Sequence, residues 1–406
     1  MNYKISGPVN VTRLFGNVNG INKVIYLFMD AHYDEDLQTL CSENDAIHIQ
    51  KYLSLGFEKL NNGDKVYDFL VEFEPNSYWS NKNKVWYNKN IYLHEVLRFF
   101  KKYLIYDRYH NQIWMSEYFK NVRFHYLDIR RWTEYFVYQN IRYILNISQN
   151  ESDKVRALEI ILQMVQNLKK QFLLIKEYLS NPIDVQNSAI LIEELPEFHD
   201  VMRDKNLEDK VYDKIRYLLN KLLGRYNHTE IKQIINQYIN KVIVTELDNL
   251  VLKTNSIYEK FTGYKDSISS KNITQKNEIF GEIRKIINKF WSDNITPLFG
   301  QIMDIYFLRR FLDKDYITNA IVFVGAAHAA IYISILVNLF GFKITHTSIS
   351  ITTNMDELNK LVRDVNPLES QQHFTKTIFH VLKLLKLPKT NYIQCSDVSN
   401  FPDNFD

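Results

Sequence analysis

The stretch from Ile321 to Phe342, IVFVGAAHAAIYISILVNLFGF, decides the fold. It is apolar for about the length of a membrane-spanning helix, roughly 20 residues. Three features argue against a span. Gly325 breaks the run, the preceding Ala320 to Val324 (AIVFV) is short and β-branched, and the part from Ala326 onward consists of helix formers. His328 sits at the junction, and a lone ionisable group in lipid is costly without a partner. The stretch reads as a buried strand, a tight turn and a buried helix, with Gly325 chosen for tolerance of unusual backbone angles.

Working outward, the same pattern of a short apolar strand ending in polar residues recurs. Lys23 to Met29 (KVIYLFM) leads into Asp30-Ala31-His32, Tyr67 to Phe73 (YDFLVEF) delivers Glu72 and Glu74, and Val122 to Leu127 (VRFHYL) delivers Asp128 and Arg130. Phe342 to Thr352 alternates as a fifth strand, and helical patterns at Asn44 to Leu60 and Leu93 to Tyr106 lie between strands. Such β-α alternation predicts an α/β fold with a mixed or mainly parallel central sheet flanked by helices, whose ligands sit beyond the carboxyl ends of the strands.

The middle of the chain differs. Val155 to Leu179 places Leu158, Ile161, Leu162, Val165 and Leu168 at helical spacing, and Val211 to Leu223 and Ile231 to Tyr258 do the same. The expected organisation is a first part of the α/β core (1–132), a large all-helical insertion or cap (133–298), a second part of the core (299–390) and a C-terminal tail (391–406). The polar stretches 146–153 and 267–277 read as breaks within the helical region. Met355 to Val365 and Thr375 to Leu385 read as two further helices, and Asp397 to Asp406 as a frayed or partner-bound tail.

Composition narrows the function classes. Hydrophobic residues make up 46% and aromatic residues 14% of 406, which excludes disorder as the main state. Lys+Arg 50 against Asp+Glu 47 leaves a net charge of +3 with no basic tail, so dedicated nucleic-acid binding is not expected. No secretory signal is visible at the start. Cys41 and Cys395 are too distant in sequence for a CxxC knuckle or a disulfide framework, and a reducing compartment is the simpler expectation.

The chain contains no GxSxG elbow, no GxxxxGK[ST] loop and no GxGxxG, and His94-Glu95 lacks the second histidine of HExxH because Arg98 stands there. The strand-end set remains: Asp30, His32, Glu72, Glu74, Asp128, Arg130 and Gly325-Ala326-Ala327-His328. Taken singly, a histidine at a strand-helix junction is more often a hydrogen-bonded structural group than a catalyst. Together the members gain weight, because ionisable groups gathered at one sheet edge cost free energy unless they pair, bind metal or react. Imidazoles with carboxylates suit a divalent metal site or a His base acting on water. At the start of the helix His328 is held toward its neutral form by the dipole.

Asp30-Ala31-His32 after an apolar strand, Glu72 at a strand end, Asp304-Ile305-Tyr306-Phe307-Leu308-Arg309-Arg310-Phe311, and then Gly325-Ala326-Ala327-His328 resemble the superfamily that joins erythromycin esterase, the haem-binding lipoprotein ChaN, TraB proteins and Tiki metalloproteases. The chain looks most like uncharacterised members from large DNA viruses of eukaryotes. The resemblance makes His32 and His328 the two GxxH histidines, Asp30 the acidic residue of the first motif, Glu72 the strand-end carboxylate and Arg310 the motif arginine. The first motif departs from the family pattern, with Met29 in place of Gly and Asp30 in place of Glu.

The resemblance implies a hydrolase of ester, lactone or peptide bonds in which His32, His328 and Glu72 activate water, Asp30 orients His32 or completes a metal site, and Arg310 holds a substrate carboxylate or stabilises an oxyanion. A divalent metal (manganese, cobalt or zinc) on His32, His328 and Glu72 is the metal-assisted form of that expectation. The alternative is an inactive structural or interaction protein, such as a virion component; a third is a haem or small-molecule binding module. The expected partners are a small-molecule or peptide substrate, a second copy of the chain or virion proteins, with no nucleic acid and no membrane span. The expected location is host cytoplasm or virion.

Overall fold

The structure is a computed structural model that describes residues 4–32, 41, 46–73, 92–100, 102–103, 106–107, 112–113, 116–181, 196, 198–224, 226–368, 373–387 and 394–405. Its strands are β1 (Lys4–Ser6), β2 (Asn10–Val18), β3 (Ile21–Asp30), β4 (Ala46–His48), β5 (Tyr67–Val71), β6 (Tyr106–Asp107), β7 (Gln112–Ile113), β8 (Val122–Tyr126), β9 (Asn319–Gly325), β10 (Lys343–Thr347) and β11 (Cys395–Asp397). Its helices are α1 (Ile49–Leu60), α2 (Tyr92–Phe100), α3 (Arg130–Thr133), α4 (Tyr135–Asn150), α5 (Lys154–Ser180), α6 (Phe198–Val201), α7 (Lys205–Leu223), α8 (Thr229–Tyr238), α9 (Thr245–Ile268), α10 (Ile273–Phe290), α11 (Thr296–Asp313), α12 (Ala326–Leu339), α13 (Met355–Arg363) and α14 (His373–Leu384). The chain forms two compact units, Met1–Asp128 with Phe307–Asp406, and Ile129–Tyr306.

The first unit is α/β. Its main sheet has the order β10-β2-β3-β9-β5-β8, in which β3, β9, β5 and β8 are parallel, β2 is antiparallel to β3, and β10 is antiparallel to β2. The stretch that begins at Ile321 is resolved as a strand and a helix, β9 and α12. Both neighbours of β9 run parallel to it, so it is buried on both faces and reads as a continuous apolar run. Side chains alternate between the two faces. Tyr26, Phe28, Phe69, Val71, Ile321 and Phe323 build one core with α1 and α2, where Phe57 meets Phe69 at 5.1 Å between ring centres. The opposite parity, Ile25, Leu27, Leu70, Val322 and Val324, is buried too, and α12 packs against β3 and β9. Every residue of α12 from Ala329 to Val337 is buried, which explains a helix apolar all round. Among the described residues no helix is long and apolar enough to cross a membrane.

Lys23, at 1% exposure, fixes the end of α11. Its Nζ donates to the carbonyls of Phe311, Lys314 and Ile317 at 2.9, 2.9 and 2.7 Å, satisfying acceptors that a helix terminus leaves open. Burial pushes its pKa down to about 8.

The second unit is helical. Leu158, Ile161, Leu162, Val165 and Leu168 of α5 are all buried, as their spacing requires. The two polar breaks contract to short turns: α4 runs on to Asn150 and α5 starts at Lys154 behind an Asp153 cap, while α9 ends at Ile268 and α10 starts at Ile273 behind an Asn272 capping box.

Several expectations need correction. The longest antiparallel strand, β2, was not among those read from the sequence, and neither were β1, β4, β6, β7 and β11. The helix expected to reach Tyr106 ends at Phe100, and Tyr106 opens β6. The tail is not frayed: β11 pairs with β1, and Phe405 is buried edge-on to Tyr26 at 5.4 Å. Cys41 and Cys395 form a disulfide, with 5.2 Å between their Cα atoms, which removes the premise for a reducing compartment. Sequence distance is no barrier to a bond once the fold brings two residues together.

Candidate functional site

Strand register assembles the site. Asp30 is the register partner of Gly325 across β3 and β9, and Val71 pairs with Phe323 across β5 and β9. The carboxyl ends of three adjacent parallel strands therefore stop at one level. The Glu72 amide then donates to the Phe323 carbonyl at 3.1 Å, which carries the Glu72 side chain to the start of α12. Ligands of such sheets bind at this edge.

Four of the five expected residues meet there. His32 Nδ1 lies 2.8 Å from Asp30 Oδ2. A neutral ring that donates Nδ1–H to that carboxylate carries its lone pair on Nε2. Nε2 faces Glu72 Oε2 at 3.8 Å. The same oxygen accepts the Gly325 amide at 2.8 Å, so Glu72 caps α12 at its positive end. The other oxygen, Oε1, faces Nε2 of His328 at 3.5 Å. Glu72 thus stands between two imidazoles, one on each oxygen.

Burial grades the cluster. Asp30 is 1% and Glu72 6% exposed. The His328 side chain is 15% exposed and that of His32 43%. Carboxylates lie beneath and imidazoles face solvent, the order a site needs if substrate is to reach a base. Asp30 Oδ1 is buried without a hydrogen-bond partner.

Two backbone features are bound up with this geometry. His32 has φ +56°, in the left-handed region that costs an ordinary residue of order 1 kcal/mol. Gly325, by contrast, has φ −55° and ψ 143°, angles open to any residue. Its need for glycine is therefore steric and not conformational: a Cβ there would stand 2.8 Å from His32 Nε2 and 3.2 Å from Glu72 Oε2. Met29, at the position where the resembled motif has Gly, is a fully buried core residue of β3.

Arg310 belongs with a second group. It is half-buried in the last turn of α11, and its charge bears on His125. His125 Nε2 pairs with Asp68 Oδ1, and Arg123 grips the same carboxylate with two bonds of 2.9 and 2.7 Å. Burial, and next the Arg310 charge, push the His125 pKa down to about 4. Its Nδ1 is buried without a partner. Sequence reading missed this group. The signal was an Asp inside an otherwise apolar strand, opposite a strand in which Arg123 and His125 share one parity. Glu74 lies outside the described residues, and the Asp128 amide donates to Phe73 at 3.1 Å.

The donor set of His32, His328 and Glu72 is chemically that of a three-ligand metal site. Among the described residues, however, no group of three or more His, Cys, Asp or Glu is spaced to hold an ion.

Comparison with known proteins adds kinship. The model of a family of unknown function, DUF5847, matches residues 3–406. Uncharacterized protein R706 of Acanthamoeba polyphaga mimivirus is 32% identical over 99% of this chain and 96% of its own length. Uncharacterized proteins R161 and R160 of the same virus are 32% and 31% identical over 99% of this chain and 98% and 97% of their own lengths. These relatives are viral, as the resemblance implied. No solved structure matches.

Proposed function

We propose that this chain, which belongs to the DUF5847 family, is a hydrolase that activates water between His32 and Glu72. One observation carries the reading: His32 Nε2 faces Glu72 Oε2 at 3.8 Å while Nδ1 of the same ring lies 2.8 Å from Asp30 Oδ2. When the ring donates Nδ1–H to Asp30, Nε2 is an acceptor, and one water donating to it and to Oε2 at about 2.8 Å spans about 4 Å. Water held so is ready to lose a proton to Nε2 while its oxygen attacks a carbonyl carbon.

Asp30 keeps the proton on Nδ1 and steadies the imidazolium that forms, as the acidic member does in other hydrolytic dyads. Glu72 orients the water with Oε2 and His328 with Oε1. His328 is the group placed to protonate the leaving oxygen or nitrogen, and its position at the start of α12 eases release of that proton. Arg310 enters only as a charge that, after burial, disfavours protonation of His125. Kinship with the erythromycin esterase, ChaN, TraB and Tiki proteins belongs to this proposal, as do the substrate classes it implies: esters, lactones and peptides. A manganese, cobalt or zinc ion on His32, His328 and Glu72 is its metal-assisted form. The spacing does not match one, so no step is routed through an ion.

The test is a screen of p-nitrophenyl esters, lactones and short peptides with the native chain, with and without divalent metals or EDTA, beside His32→Ala. Turnover that falls at least about 100-fold in the variant supports the reading. No turnover on any class, or equal turnover in the variant, overturns it and favours the structural alternative.

A further inference from the structure

Beyond β10 the chain alternates polar and β-branched residues, Ser348-Ile349-Ser350-Ile351-Thr352, and the structure reverses the usual order of burial. The serines are half-buried and bonded: Ser348 Oγ accepts the Val11 amide at 3.0 Å, and Ser350 Oγ donates to the Thr352 carbonyl at 2.6 Å. The isoleucines face out, each 46% exposed. Their backbone is fixed, since the Ile349 carbonyl accepts Asn10 Nδ2 at 2.8 Å and the Ile351 amide donates to the Leu384 carbonyl at 2.9 Å. A single exposed apolar side chain is ordinary; two of them presented by one tied loop ask for a reason.

Register places the loop at the edge of the sheet that holds the site. Because β10 is antiparallel to β2 and β2 to β3, the end of β10, the start of β2 and the end of β3 fall together, with Asn10 the register partner of Met29. Asp30 follows Met29 directly. Register partners share a face, so the Asn10 side chain that ties Ile349 lies on the Met29 face, and the same Nδ2 donates to the Leu385 carbonyl just past α14 at 3.3 Å. In turn α14 packs on α12, whose first turn carries His328. The isoleucines therefore flank the histidines on the β2 side, about two strand spacings, or roughly 10 Å, from Asp30.

We propose that Ile349 and Ile351 form an apolar wall of the candidate site and select substrates whose reacting carbonyl carries an extended apolar chain of about eight carbons, the length that crosses roughly 10 Å. The inference deepens the hydrolase reading and rests on it for which end of the substrate reacts. A chain laid on the wall takes apolar surface of both partners out of water, and each methylene so buried raises affinity roughly fourfold. The tied backbone adds to the gain, because no loop has to be ordered when the substrate arrives. A short acyl group reaches the histidines without touching the wall.

The test reads binding and not turnover. The full chain, labelled at its isoleucine methyls and histidine rings, is titrated by nuclear magnetic resonance with methyl octyl ketone, which offers an ester-like carbonyl on an apolar chain and no bond to hydrolyse; methyl ethyl ketone is the short control. The expected result is saturable shifts at Ile349, Ile351 and His32 together, affinity for the long ketone at least about tenfold above the short one, and loss of that preference in the double variant Ile349→Asn/Ile351→Asn with circular dichroism unchanged. Equal affinities in the native chain, no saturable binding of the long ketone, or isoleucine shifts without a His32 shift overturn the proposal, whether or not the variant folds. So does a preference that survives in the folded variant. A chain that binds the long ketone as expected and yet hydrolyses no ester supports the wall and overturns the water-activating step alone.

Discussion

A Cβ on Gly325 would stand 2.8 Å from Nε2 of His32, closer than real Cβ contacts allow. The missing side chain is what lets the imidazole settle over the β9–α12 junction. Gly325→Ala must therefore move His32 or Glu72. Since His32 is 43% exposed it can swing outward, so the expected penalty in thermal unfolding is under about 1.5 kcal/mol while hydrolysis falls at least about tenfold. Calorimetry beside the substrate screen checks both halves.

Asp30→Asn keeps the shape and removes the charge under His32. An amide can present its NH2 to Nδ1 and so favours the wrong ring tautomer, and the expected loss in kcat is about 100- to 10,000-fold. Stability should hold or rise, because a buried carboxylate with an unpartnered oxygen is replaced by a neutral group. A variant with both lower activity and a large drop in Tm would mean that Asp30 serves the fold.

His125 gives the fold an acid sensitivity of its own. Its folded pKa of about 4 lies below the ordinary value of 6.5, so the unfolded chain binds a proton that the folded chain refuses. The associated stability is complete above pH 6.5 and is lost as pH falls from there toward 4, by about 3 kcal/mol in all. Urea unfolding at pH 7.5, 5.5 and 4.5 should show a smaller acid loss in His125→Gln than in the native chain.

Lys23→Met removes the donor to three carbonyls at the end of α11. The expected loss is about 3 kcal/mol, read as a lower urea midpoint with an unchanged slope.

The sequence carried the parallel core because β3, β5, β8 and β9 each announce themselves as short β-branched or aromatic runs. It did not carry β2, where Arg13, Gly16 and Asn17 interrupt the apolar pattern; that strand is fixed by its nine-residue register with β3. His32, Asp30, Glu72 and His328 were legible because each follows an apolar run at a strand end. The reason for Gly325 was not, since it lies in what a Cβ would touch across the sheet. Nor was the disulfide, which depends on β1 holding β11 and β4 together from opposite ends of the chain.

The most direct test of the central claim is a double-mutant cycle on kcat/KM with His32→Ala, His328→Ala and the pair, using the best substrate of the screen. If Glu72 joins the two imidazoles into one water-activating unit, each single variant should lose at least about 100-fold and the double variant little more than either alone. Losses that multiply, or a native-like rate in either single variant, would contradict a shared site.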